Sequence, residues 1–380
     1  MSWTRKLAFL AVTWTVGLAV LLAGTELVLR LTDDGWGRTL RLNLVRSRAF
    51  DFRVDGLYDW ERPTIRYARD RYGLRDDCGS PDRIDILTIG GSTTDQRLLA
   101  QEATFQAVLQ RELQRTAGAK ICVSNAGVDG HTTHGHLRAF RDWFPLIPGL
   151  KPKLLIFSVG VNDAEFTRSG PAEFESKISG FGSKVKELHV VQLGLWLRDL
   201  LRSRLQGASA HATHNREVWG PTEFTQAQLA SDTPKRAARN AEGFRLRLRR
   251  MLGHARAMGS EVICVTQPHS VVRLVDGQRR GFRPYFGESG AGYAYGGLDW
   301  DYALRLNNQV MREECGEGRF VDLYNAPFDR SDFYDGVHTT PSGAQKIGRQ
   351  LASFIARSEL MEKLGGRGSS DPAEAKSPPR

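Results

Sequence analysis

The sequence of 380 residues contains no His-Glu-x-x-His and no Cys-x-x-Cys. A zinc site needs three or four converging ligands, and His131, His134 and His136 stand close in sequence without such companions, so no metal and no cofactor is expected. No Lys/Arg-rich patch interleaved with aromatics occurs, nor any nucleic-acid module, which sets nucleic acid aside as a partner. There is no internal repeat. Long apolar runs are also scarce, with a single one at the amino terminus. Acidic residues are outnumbered, 43 against 53 Lys and Arg, leaving a net charge of +10. That excess, mostly arginine, suits an anionic partner such as a lipid surface or an acidic glycan, or simply a solvated basic surface. The apolar and charged fractions are those of a globular protein, and the length allows one large domain or two small ones.

The apolar run extends from Leu7 to Gly24 behind Arg5 and Lys6, and continues into Leu27-Val-Leu29. About 20 residues cross the hydrocarbon core of a bilayer, and this segment reaches that length. Glu26 and Arg30, one helical turn apart, can pair near the outer interface. A cleaved signal peptide is the rival; Leu22-Ala-Gly-Thr25 resembles a lipoprotein cleavage box, but Thr25 stands where cysteine is required. The expectation is an uncleaved membrane anchor over 1–31, with the amino terminus cytoplasmic and the rest of the chain exported to the periplasm or beyond.

From 32 to 83 the sequence is polar, arginine-rich and aromatic, and Tyr58, Trp60, Tyr67, Tyr72 and Gly73-Leu-Arg75 read as short extended pieces packed against the domain that starts at residue 84. Ile84-Asp-Ile-Leu-Thr-Ile89 is a short β-branched run that breaks into Gly90 and Gly91, as a buried strand does. A helix over Thr104–Thr116, a strand over Lys120–Ser124, a helix through Leu137, Phe140, Trp143 and Phe144, and a strand over Leu154–Val159 come next. Strand and helix alternating at this spacing predict an α/β fold, a parallel sheet with helices on both faces. The region 172–259 reads as helical but irregular, with an insertion at about 172–232, a polar loop or lid over 206–232, and a helix opened by Thr233-Pro234 that runs to about Met258. A strand at Glu261–Thr266, a mobile glycine- and aromatic-rich loop over 277–297, a helix at Trp300–Glu314 and a strand at Arg319–Leu323 come after it. Thr340-Pro341 starts a final helix reaching about Leu364, and 365–380 has the composition of a disordered tail.

Acyl transfer to a serine needs a hydroxyl, a base for its proton, and donors for the tetrahedral oxyanion. Ser92 follows the Gly90-Gly91 turn at the carboxyl end of the first sheet strand, where open α/β sheets place their sites. Asp335-Gly-Val-His338 puts a histidine base three residues after a carboxylate that can hold its tautomer. The backbone N–H groups of Ser92 and Gly130 and the side-chain amide of Asn162 are the candidate oxyanion donors. Each of these residues follows a strand, so all can meet at one edge of the sheet. The bland alternatives are that Asn162-Asp163 caps the next helix and that His338 is a surface residue near a helix start.

Taken in order, Gly-Gly-Ser92-Thr-Thr, Asn125-Ala-Gly-Val-Asp-Gly130, Gly160-Val-Asn162-Asp163 and Asp335-Gly-Val-His338 resemble the motif blocks of the SGNH (GDSL-type) hydrolases. The resemblance spans about 84–359, and implies a flavodoxin-like three-layer α/β/α fold with a five-stranded parallel sheet in the order 2-1-3-4-5. It implies ester hydrolysis, with Ser92 as nucleophile, Asp335 and His338 completing a triad, and Ser92, Gly130 and Asn162 forming the oxyanion hole. One departure is Gly91, where the family carries an acidic residue before the serine; this puts lipase-type specificity in doubt.

In that strand order Cys78 and Cys122 lie by neighbouring strands, as do Cys264 and Cys315, so Cys78–Cys122 and Cys264–Cys315 is the pairing that avoids crossing the sheet. The other reading leaves Cys122 and Cys264 as buried thiols and Cys78 and Cys315 free in loops. The sequence as a whole points to an anchored serine esterase with a hydrolase domain over 84–364, acting on an acylated glycan or small ester. A glycan O-acetyltransferase and a non-catalytic glycan-binding protein are the alternatives.

Overall fold

The structure, a computed structural model, describes residues 3–32, 36, 39, 42–118, 120–164, 188, 190–191, 194, 223–283 and 296–365. The chain divides into two compact units, 1–41 with 169–207 and 42–168 with 208–380. In the first, α1 (Trp3–Thr32) is one uninterrupted helix. Its 29 residues from Trp3 to Leu31 are apolar enough to cross a membrane. Trp3, Phe9, Trp14 and Val20 are exposed. Arg30 Nε donates to Glu26 Oε1 at 2.7 Å, the pairing that their one-turn spacing suggests.

The second unit is built on a parallel sheet of β3 (Ile86–Gly90), β4 (Val123–Asn125), β5 (Leu154–Ser158), β7 (Glu261–Val265) and β10 (Phe320–Val321). Their spatial order is β4-β3-β5-β7-β10, which is 2-1-3-4-5 in chain order, as expected. Every residue of β3 and β5 is buried, because helices cover both faces and no position is left for a polar side chain in water. Alternation then sorts the strands: Ile86, Leu154, Ile156, Ile263 and Val265 join the core that α3 (Phe105–Ala117) and α7 (Pro341–Ala356) close. On the opposite face Phe157 meets Phe140 of α4 (Thr133–Asp142), with ring centroids 6.1 Å apart. α5 (Thr233–Ala257) and α6 (Gly297–Cys315) pack there against each other. A short α2 (Ser92–Asp95) follows β3 directly, and α8 (Leu360–Gly365) ends the described chain.

The segment before the sheet is an antiparallel hairpin, β1 (Arg48–Arg53) with β2 (Thr64–Arg69), in which Phe50 faces Tyr67 and Phe52 faces Ile65. Its aromatics pack with Leu98, Ala100 and Ala103. Both expected disulfides are present, Cys78–Cys122 and Cys264–Cys315, with Cα atoms 5.7 and 6.2 Å apart.

Two expectations fail. The stretch 206–232 is not all loop: β6 (Glu223–Gln226) is a strand. The stretch 277–297 is likewise no continuous loop, since β8 (Val272–Val275) and β9 (Gln278–Arg283) form a hairpin joined to β6 in the order β6-β9-β8. The hairpin turns on Asp276 and Gly277, with φ of 50° and 74°. An Asp-Gly pair with both φ positive is the turn whose twist matches two antiparallel strands, so the signal was present in the sequence. What hid it was the arginine content of the strands. Most of the 172–232 insertion, most of 277–297 and nearly all of the 365–380 tail lie outside the described residues.

Candidate active site

Gly90 and Gly91 let the chain turn from β3 into α2. A β-carbon at Gly90 would sit 2.1 Å from Thr94 Oγ1 and 2.3 Å from the Ser158 carbonyl oxygen, so the turn is closed to any side chain. At Gly91 it would meet Asn162 Nδ2 at 2.6 Å and the His131 carbonyl oxygen at 3.3 Å. Ser92 thus begins α2 at the carboxyl end of β3.

The loop from Tyr334 to His338 reaches that edge from the far side. Phe333 bridges to Thr339, and the Tyr334 N–H donates to the His338 carbonyl at 3.1 Å, closing the loop on itself. Thr340, followed by Pro341, caps α7 immediately after. Inside this loop Asp335 Oδ1 accepts from the N–H groups of Val337 and His338, at 2.8 and 2.7 Å. Asp335 Oδ2 is 2.6 Å from His338 Nδ1, and His338 Nε2 is 2.8 Å from Ser92 Oγ. Serine, imidazole and carboxylate therefore form one hydrogen-bonded line across 246 residues of chain.

The electrostatics of the line follow from its surroundings. Burial pulls the His338 imidazolium down, but the Asp335 carboxylate outweighs it, so the ring holds a proton above its ordinary value near 6.5. Burial pushes the Asp335 carboxyl up, and His338 with the two backbone N–H groups outweighs that, leaving it below its ordinary value. The Tyr334 ring stacks on His338, centroids 5.6 Å apart and 7° from parallel, which fixes the imidazole plane.

Asn162 and Gly130 stand where their strands place them. Asn162 opens the 3-10 turn after β5, and its Nδ2 donates to the His131 carbonyl oxygen at 2.9 Å. An amide carries two N–H groups, so one is left for another acceptor. Gly130 has φ of 74°, a left-handed turn that directs the backbone after Asp129 toward His131. Asp163 caps a helix from another part of the chain. It accepts from the N–H of Thr133 at 3.1 and 3.0 Å and from its hydroxyl at 2.5 Å, at the start of α4. Among the described residues no three His, Cys, Asp or Glu form a metal-holding group. His131 Nε2 lies 2.6 Å from the Leu42 carbonyl oxygen, so it carries the ring proton, and burial lowers this histidine to about 4.

Sequence reasoning missed Gln267. Its amide is buried, with Oε1 accepting from the Val161 N–H at 3.1 Å and Nε2 donating to the Thr93 hydroxyl. One side chain thereby ties the neighbour of Ser92 to the neighbour of Asn162. Its position two residues beyond β7, at the same sheet edge as the others, was the available signal.

A sequence model of the GDSL-like lipase/acylhydrolase family matches residues 88–346. The chain belongs to this family. The match runs from β3 through the first part of α7, so it takes in the sheet, Ser92, Asn162 and the Asp335–His338 loop. It starts after the hairpin of β1 and β2. No curated protein sequence matches the chain. Solved structures similar to it include the lipase/acylhydrolase from Enterococcus faecalis, 15% identical with a TM-score of 0.38, covering 72% of this chain and 96% of that one. An acetylxylan esterase from Geobacillus stearothermophilus is 14% identical with a TM-score of 0.38, covering 72% and 94%. A GDSL-like lipase from Bacteroides thetaiotaomicron is 13% identical with a TM-score of 0.35, covering 74% and 89%.

Proposed function

We propose that this GDSL-family protein is a membrane-anchored, exported serine esterase that removes O-acetyl or other acyl groups from a cell-envelope or secreted glycan. The observation that carries the reading is the Ser92–His338–Asp335 line, with 2.8 and 2.6 Å between its members. Ser92 Oγ attacks the ester carbonyl while His338 Nε2 takes its proton, and the imidazolium so formed is stabilised by Asp335. The backbone N–H groups of Ser92 and Gly130 and the free N–H of Asn162 receive the oxyanion. His338 then returns the proton to the leaving alcohol, and water repeats the sequence on the acyl-enzyme. The helix over residues 3–31 supports anchoring, and the net charge of +10 suits an acidic glycan or an anionic lipid surface.

The test is labelling by a fluorophosphonate probe followed by turnover of acetyl esters, with and without an acceptor sugar. Ser92→Ala is expected to abolish both labelling and hydrolysis. Asn162→Ala is expected to lower turnover by about 10²–10³ with labelling retained but slowed. Full hydrolysis by Ser92→Ala overturns the mechanism. Acyl transfer to the sugar at the expense of hydrolysis reassigns the protein as an O-acetyltransferase.

A further inference from the structure

Asp95 ends α2, three residues after Ser92, and is fully buried with three arginines around it. One of them, Arg69, comes from β2, outside the family match. Its guanidinium donates Nη2 to Asp95 Oδ1 and to the Gly127 carbonyl, each at 2.5 Å. Nη1 donates to the carbonyls of Gly73 at 2.7 Å and Asn125 at 3.3 Å, and Nε to the Tyr67 hydroxyl at 2.7 Å. The Tyr67 hydroxyl in turn donates to Asp95 at 3.0 Å.

These contacts join two segments that the reaction needs in fixed relation. Asp95 belongs to the helix that Ser92 begins; Asn125 and Gly127 open the loop that ends at Gly130. The two lie backbone against backbone. Asn125 Nδ2 donates to the Thr94 carbonyl at 2.8 Å, and a β-carbon at Gly127 would come within 2.4 Å of the Asp95 nitrogen. The Asn125 amide holds this contact from the loop side, and the guanidinium fork, planar and rigid, holds it from an element outside both segments. A buried ion pair is poor evidence for stability, because desolvation offsets most of the attraction. Its geometric effect is what remains to be explained.

We infer that Arg69 is a positioning residue for the esterase site: it fixes the Ser92 helix against the Gly130 loop, so that the hairpin preceding the family domain is part of the catalytic unit. The inference rests on the serine-esterase reading for its consequence, not for its geometry.

The full-length protein is used, with Arg69→Lys and Tyr67→Phe. Lysine keeps the charge facing Asp95 but cannot span the carboxylate and the three carbonyls. Tyr67→Phe removes one brace and keeps Arg69, which makes it the variant to read if Arg69→Lys fails to fold. In Arg69→Lys the fluorophosphonate labelling rate and kcat are expected to fall by about 10–100-fold, a loss typical of a misplaced reacting group. The labelling end-point, which counts folded sites, stays complete, and KM for a small ester stays within roughly twofold. Tyr67→Phe is expected to shift the same quantities in the same direction by less. In both, amide exchange at Asp95 and Val128 quickens relative to the sheet strands. Native labelling rates and kcat in variants of lowered Tm would show that Arg69 only stabilises, and would overturn the inference. If the unaltered protein takes no probe, the esterase reading falls, and the exchange rates alone decide: quickened exchange confined to these amides upholds the positioning, and unchanged exchange overturns it.

Discussion

At the scale of single residues, the Asp335–His338 pair has opposite consequences for stability and for chemistry. His338 holds its proton more tightly in the folded chain than an ordinary imidazole, so its stabilising effect is complete below about pH 6.5 and is lost as pH rises through its raised folded value. Asp335 is depressed, so its effect is present above about pH 4 and is lost as pH falls through its lowered value. The pair therefore stabilises most between those limits, where His338 is charged and cannot accept the proton of Ser92. We predict that the rising limb of kcat/KM against pH has its midpoint above 6.5, and that Asp335→Asn moves it down while cutting turnover by about 10⁴. A limb at or below the ordinary imidazole value in the unaltered protein contradicts the assignment. Gly91 supplies a second prediction. Restoring the acidic residue of the family pattern, Gly91→Asp, places a β-carbon 2.6 Å from Asn162 Nδ2 and drives that amide out of position. Turnover in Gly91→Asp is expected to fall about as far as in Asn162→Ala, by about 10²–10³, and the double variant to add little. Additive losses, measured as kcat in the four-way cycle, would separate the two residues.

At the scale of elements, β3 and β5 were readable because burial on both faces leaves a near-continuous apolar run, as in Leu154–Ser158. Ser92, Asn162 and the Asp335–His338 loop were readable for a related reason: each follows such a run or lies in the connection after the last one, and sheet topology converges these ends. Gln267 was not. A glutamine after a strand looks like any polar loop residue, and its partner Thr93 lies 174 positions away. The three-stranded sheet escaped because Gln278-Arg-Arg-Gly-Phe-Arg283 lacks the β-branched content that marks a strand. The cysteines were read through strand order, and that reading yields a prediction. Cys78–Cys122 closes a loop of 44 residues beside the Arg75–Asn125 bridge. Replacing both cysteines by serine is expected to cost about 4 kcal/mol, seen as a lower urea midpoint with a steeper slope, because the unfolded chain without its cross-link exposes more surface. A midpoint unchanged by the replacement, or by reductant, removes the bond from any stabilising role.

At the scale of the whole molecule, the amino-terminal helix and the hydrolase domain make separable predictions. Full-length protein is expected to sediment with membranes and to resist extraction by high salt, whereas a chain starting at residue 42 stays in the supernatant and keeps its esterase activity on soluble esters. A reporter active only outside the cytoplasm, fused after Leu364, is expected to be active; a silent reporter on an intact protein contradicts export. The hydrogen bond between Ser92 and His338 has a further bearing on biosynthesis. It joins positions 246 residues apart, and a ribosome adding 5–20 residues per second needs roughly 12–50 s to cover that interval. On the proposed mechanism the serine lacks its base throughout that time, and a nascent chain stalled before residue 338 is expected to show no esterase turnover, measurable on ribosome-bound chains. On that reading, activity is withheld until the loop carrying Asp335 and His338 has been made.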